Sequence, residues 1–72
     1  MKEEENREYK VGDLLEVKET GKGIVLQIWD NPHTSWRRMK VYAFEVNREL
    51  NFSCPKTIAM REFYRKRLTL LE

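Results

Sequence analysis

The stretch VGDLLEVKETGKGIVLQI, residues 11–28, contains the clearest secondary-structure pattern in the chain. In its first half, Leu15 and Val17 fall on one side of an extended chain. Glu16 and Lys18 fall on the other side. A period of two residues is typical of a β-strand that buries one face. This part of the chain is therefore predicted to be a strand.

The second half of the stretch predicts a turn and a return strand. The segment TGKG, residues 20–23, supplies two glycines for turn positions with positive φ. After it the chain alternates again, with Ile24, Leu26 and Ile28 set against Val25, Gln27 and Trp29. Two alternating segments around a glycine turn predict a β-hairpin.

Three further strands and a helical turn are predicted downstream. A third strand is expected over residues 39–46, because they are rich in β-branched and aromatic side chains, with Tyr42, Phe44 and Val46 on one face. A fourth is expected over residues 50–54, closed by Pro55, which cannot donate a ladder hydrogen bond. A last short strand runs through Leu68 and Leu70.

Residues 57–67 change from strand to helical periodicity. The apolar stripe consists of Ala59, Met60, Phe63 and Tyr64. Thr57 is the expected N-cap, and one to three helical turns are expected.

Length and composition predict one small charged domain. A chain of 72 residues is one domain, and its charged fraction of 36% exceeds the usual ~25%. Residues 1–8 contain no apolar residue after Met1 and are predicted to be a flexible acidic tail. Residues 9–72 are predicted to form the folded domain.

Several classes of protein are disfavoured by what the sequence lacks. Cys54 is the only cysteine, so there is no internal disulfide, and a cytoplasmic location is expected. No apolar run is long enough for a membrane span, and there is no apolar signal-peptide core. One histidine and one cysteine do not make a conventional zinc site, and no phosphate-cradling glycine loop is present. We therefore expect no membrane, no metal, no small-molecule cofactor and no enzymatic activity, with His33 as a turn residue and Cys54 as a buried, inert thiol.

Residues 11–28 resemble the opening hairpin of KOW-type and related SH3-like domains. The shared pattern is an apolar-Gly-Asp start, an alternating strand, a glycine turn and a Gly-Ile-Val strand. The resemblance implies a mainly β protein: a small SH3-like barrel of about five antiparallel strands, with one short helix or 3-10 turn before the last strand. In it, Gly12 lets the chain bend and Gly23 lets two backbones approach closely. In length and general sequence character, the chain also resembles small SH3-like proteins encoded by bacteriophages.

The resemblance implies binding more than chemistry, because SH3-like barrels serve nucleic-acid, peptide and protein partners. The chain lacks the acidic loop and tyrosine-rich groove of polyproline-binding members. Its basic charge is concentrated in residues 36–67, where nine basic side chains face three acidic ones, a net +6. Such an asymmetry indicates an anionic partner, although a solvated charged face has the same composition.

The segment WDNPHTSWRR, residues 29–38, is the first candidate site. A tryptophan ring can stack on a base, and flanking arginines can neutralise phosphates. The alternative is structural: Trp29 and Trp36 pair across the hairpin and cap one end of the fold. A second basic cluster, Arg61 and residues 65–67 with Lys56, is either a phosphate-tracking patch or a solvated helix face that shields the core.

The leading hypothesis is a non-enzymatic module that binds RNA or DNA with little sequence preference. Its predicted contact residues are Trp36, Arg37, Arg38, Lys40, Tyr42, Arg61, Arg65 and Lys66. The alternative is a protein-interaction module, a phage factor that binds a host protein or a self-associating barrel, because arginine, tryptophan and tyrosine also dominate protein interfaces. The sequence leaves open whether the two basic clusters form one surface.

Overall fold

The computed structural model describes residues 8–71, which form one antiparallel sheet and one helical turn. The strands are β1 (Leu14–Val17), β2 (Gly21–Asp30), β3 (Trp36–Ala43), β4 (Arg48–Pro55) and β5 (Leu68–Leu71). The helix α1 (Met60–Phe63) lies between β4 and β5. The predicted mainly β class, with five antiparallel strands and a short helix before the last one, is confirmed.

Consecutive strands are neighbours in the sheet except at its end, where β5 returns to pair with β1. The spatial order is β4-β3-β2-β1-β5. The predicted first hairpin is present, with Leu15 opposite Gly23 and Val17 opposite Gly21. Within the described residues β4 and β5 are the two edges, and the sheet is not closed between them.

The core lies on one face of this sheet, here called the inner face. Its buried side chains come from all five strands, and Met60 of α1 and Tyr9 cover them. The members from the strands are Leu15, Val17, Val25, Met39, Val41, Phe52, Cys54 and Leu68. The opposite face, here called the outer face, carries the alternate residues and faces away from this core.

The regular alternation predicted for the second strand is interrupted by a β-bulge. The β2–β3 register shifts between Val25 and Gln27, which leaves Leu26 40% exposed. Val25 is on the inner face and Ile28 packs against the core, although the sequence pattern set them on opposite faces. The extra residue in a bulge moves the following side chains to the other face, and the simple alternation over this strand was therefore wrong.

The third strand ends at Ala43, three residues earlier than predicted. It buries Met39, Val41 and Ala43, so the large side chains predicted to share a face do not lie in the core. Tyr42 is half-buried on the outer face. Phe44 and Val46 belong to the turn before β4 and are 48% and 42% exposed.

The two glycines of the first turn, Gly21 and Gly23, have different conformational reasons to be glycine. Gly21 has a φ of +87° where the β1–β2 turn enters β2. Gly23 does not have a positive φ, as a turn position would, but a Cβ there would lie 2.6 Å from the carbonyl oxygen of Tyr42. Gly23 therefore allows the close approach of two backbones, as predicted.

Helix α1 is a single turn, and its N-cap residue is Ala59 and not Thr57. The Ala59 side chain makes no cap hydrogen bond. Instead the Glu8 carboxylate accepts hydrogen bonds from the backbone N–H groups of Met60 (2.6 Å) and Arg61 (3.1 Å). A carboxylate at this position satisfies donors that have no partner within the helix.

The sequence predicts Glu8 to be part of the flexible tail, yet these two hydrogen bonds join it to the folded part. Residues 1–7, the rest of the predicted tail, lie outside the described residues. In residues 8–71 no helix has the length and apolar character that crossing a bilayer would need.

Candidate nucleic-acid interface

The structure places the eight predicted contact residues in two groups, with Arg37 in neither. Trp36, Arg38, Lys40 and Tyr42 are alternate residues of β3 and share the outer face. Arg37 lies on the inner face of the same strand. Arg61, Arg65 and Lys66 lie in or just after α1, which packs on the inner face through Met60.

The outer-face group forms a row because side chains of a strand alternate in direction. Adjacent strands extend the row into a surface. On β2, Trp29 is opposite Arg38 and Gln27 is opposite Lys40. On β4, Ser53 is opposite Arg38 and Asn51 is opposite Lys40. Aromatic rings, cations and hydrogen-bonding amides thus meet on one part of the sheet.

The two tryptophans share this surface but are not cross-strand partners. The register places Trp29 opposite Arg38, and Arg37 opposite Asp30. Trp36, at the start of β3, is 45% exposed. Its ring is accessible to a ligand, and the predicted Trp29–Trp36 pair across the hairpin is not formed in this register.

Arg37 has a different environment from its neighbour. Its Nε lies 2.9 Å from Asp30 Oδ1, and its Nη1 lies 3.5 Å from Glu8 Oε2. The hydrogen bond to Asp30 raises the pKa of Arg37 above its usual value. The guanidinium is therefore neutralised within the fold and links β2, β3 and the residue that caps α1.

The charges on the outer face are partly balanced. Lys40 Nζ lies 3.6 Å from a carboxylate oxygen of Glu49 on β4. Among the described residues Arg38 has no ion-pair partner. The Tyr42 hydroxyl donates a hydrogen bond to Asn47, and its ring packs edge-to-face on Phe44 with centroids 5.6 Å apart.

Two residues of the helix-side group, Arg61 and Arg65, have partners within the fold. Arg65 Nη1 lies 3.7 Å from Glu62 Oε1, and both side chains are 66% exposed. Arg61 donates its backbone N–H to Glu8. The predicted cations therefore do not form one continuous surface: those of α1 lie on the core side of the sheet, and Arg38 and Lys40 lie on the other side.

Sequence reasoning missed an apolar row that adjoins the aromatic and basic surface. Cross-strand pairing aligns Leu71, Leu14, Ile24 and Tyr42 on the outer face. Leu14 is 42% exposed. The sequence signal for this apolar row was Leu14, which lies on the same side of the first predicted strand as Glu16 and Lys18.

The remaining candidate residues behave as structural groups. Cys54 is fully buried, and burial raises the pKa of its thiol. His33 is exposed in the β2–β3 loop and donates its backbone N–H to Asn31 Oδ1. Within residues 8–71 no three His, Cys, Asp or Glu side chains come together as metal ligands.

Comparison with known proteins identifies no relative of this chain. The chain matches no family model, no curated protein and no solved structure.

Proposed function

We propose that the chain is a small, non-enzymatic SH3-like binding module whose ligand is single-stranded RNA or DNA. The sheet order with a helical turn before β5 supports an SH3-like arrangement, as does the Gly23 close approach. The observation that carries the ligand class is the row Trp36, Arg38, Lys40 and Tyr42 on the outer face of β3.

This row suits a nucleic-acid strand because it interleaves rings with cations. Bases stack on aromatic side chains with little dependence on sequence, and cations neutralise the phosphates between them. Trp36 and Tyr42 are six residues apart on an extended strand, a span of about 20 Å. Arg38 and Lys40 lie between them. The amides of Gln27 and Asn51 flank Lys40 and can bond to base edges.

The test is fluorescence anisotropy of labelled single-stranded oligonucleotides titrated at several salt concentrations. With two phosphates neutralised, the slope of log K against log[salt] should be about −1.4. Trp36→Ala should weaken binding by about 1–3 kcal/mol, the usual value of one base stack. Arg38→Gln should reduce the slope by about 0.7. Lys10→Gln, an exposed site outside the strands, is the matched control.

Two results would remove the proposal. One is affinity that does not change between low and moderate salt. The other is equal loss of binding in Arg38→Gln and Lys10→Gln, which would indicate a general charge effect.

A protein ligand for the same face is the second candidate function. The apolar row that ends at Tyr42, together with Phe44 beside it, favours it, since exposed apolar patches often mark interfaces. Leu14→Ser separates the two functions. It should leave oligonucleotide affinity unchanged. It should abolish the capture of a protein partner in a pull-down from a nuclease-treated lysate.

A further inference from the structure

A hollow beside α1 lies apart from the outer face and combines exposed apolar side chains with cations. Its volume is about 480 Å³, and the residues that line it include Ile58, Phe63, Glu62, Arg65, Lys66 and Arg67. Ile58 and Phe63 are 38% and 45% exposed. Neither side chain belongs to the core of the sheet.

The charges around this hollow are predominantly positive. Three consecutive cations, residues 65–67, line it with one acidic residue, Glu62. Glu62 is bound to Arg65, and Arg67 is bound to Glu19, with 3.4 Å between Nε and Oε2. Lys66 has no ion-pair partner among residues 8–71. An acidic ligand is therefore favoured at the rim.

We propose that the hollow beside α1 binds an acidic protein segment that inserts a leucine or phenylalanine side chain between Ile58 and Phe63. The apolar floor selects the class of ligand. A base could stack on Phe63 but not on Ile58, whereas an apolar anchor would remove both exposed side chains from water. Flanking carboxylates of the segment would pair with Lys66. They would compete with Glu62 for Arg65 and with Glu19 for Arg67, whose guanidiniums are exposed to solvent.

The Phe63 side chain is held in place by neighbouring groups, which supports a preformed binding site. The Phe63 ring packs edge-to-face on Tyr64, with centroids 5.1 Å apart. The Tyr64 hydroxyl in turn donates to the carbonyl oxygen of Ser53 and accepts from its N–H. Phe63 is thus held on a side chain anchored to the β4 edge, and the ligand would bind without first ordering this wall.

The experiment uses the full chain and two short fluorescein-labelled peptides. One contains leucine and phenylalanine among glutamates. The other has serine at the apolar positions and the same charge. We expect the first peptide to bind at least about fivefold more tightly, the usual effect of removing an interface anchor. Phe63→Ser and Lys66→Glu should each weaken it by a similar factor, with folding checked by circular dichroism.

A crossed design distinguishes this site from the outer face. Arg38→Glu has the same charge change as Lys66→Glu but lies on the other face, and it should affect oligonucleotide binding only. Ile58→Ser is a second variant in the hollow if Phe63→Ser does not fold. Equal affinity for the two peptides overturns the proposal, as does equal loss in Arg38→Glu and Lys66→Glu. Displacement of the peptide by a single-stranded oligonucleotide, with loss of oligonucleotide binding in Lys66→Glu, would instead assign the hollow to nucleic acid. The comparison of the two peptides does not depend on whether the outer face binds nucleic acid.

Discussion

Arg37 and Arg38 are adjacent in sequence and opposite in environment. Arg37 lies on the inner face of β3, bonded to Asp30 and close to Glu8. Arg38 lies on the outer face, exposed, opposite Trp29 and Ser53. The strand period of two residues is sufficient to separate them. Only Arg38 keeps its charge available to a ligand.

The same division applies to the whole of β3. Its inner residues Met39 and Val41 are fully buried and hold the sheet on its core. Its outer residues carry rings and cations and contribute little to that core. Stability and ligand binding are therefore carried by alternate residues of one strand, and single substitutions can separate them.

The largest expected effect is on the inner face. Met39→Ala should lower the free energy of unfolding by about 2–5 kcal/mol, because it removes a fully buried side chain and leaves a cavity. Lys40→Ala, the next residue, should change it by no more than about 0.5 kcal/mol. Urea unfolding followed by circular dichroism measures both. Similar losses in the two variants would contradict the division of β3 into a core face and a ligand face.

Much of this fold was predictable from local pattern alone. The alternation of Leu15 and Val17, the spacing of Leu50, Phe52 and Cys54, and the stop at Pro55 depend on neighbours in sequence, and all are present. The bulge at Leu26 was not predictable, because one extra residue in β2 is fixed by its pairing with β3. The cap of α1 was also missed, since Glu8 reaches it across 52 residues of chain.

The candidate surface was predictable only in part. Composition indicated the basic segment, and alternation within β3 could have separated Arg37 from Arg38. Alternation alone did not show which of the two faces was the core, because Met39 and Val41 on one face and Trp36 and Tyr42 on the other are all apolar or aromatic. The apolar row of Leu71, Leu14 and Ile24 joins three strands, so that no single stretch of sequence displays it.

A smaller effect sharpens the contrast between the two arginines. Arg37→Gln should lower the free energy of unfolding by about 1 kcal/mol, because it removes a partly exposed ion pair with good geometry. Arg38→Gln should leave stability unchanged within about 0.5 kcal/mol and act only on oligonucleotide affinity. Paired urea unfolding and anisotropy measurements test this. A stability loss in Arg38→Gln equal to that in Arg37→Gln would show that the outer arginine also serves the fold.

The smallest effect is a pH dependence that comes from the inner face alone. Burial raises the pKa of Tyr9 above its usual 10.0 and that of Cys54 above its usual 9.0. In the unfolded chain both groups release their protons at the usual values, whereas the folded chain retains them to higher pH. Above about pH 9 the unfolded state therefore binds fewer protons than the folded state, and the free energy of unfolding should fall as pH rises. Near pH 7 both groups are protonated in both states, and they should cause no pH dependence there. Urea unfolding from about pH 7 to pH 10.5 should show this fall, and Tyr9→Phe and Cys54→Ala should each make it shallower. A slope that neither variant changes would mean that these two groups are not the buried acids of the fold.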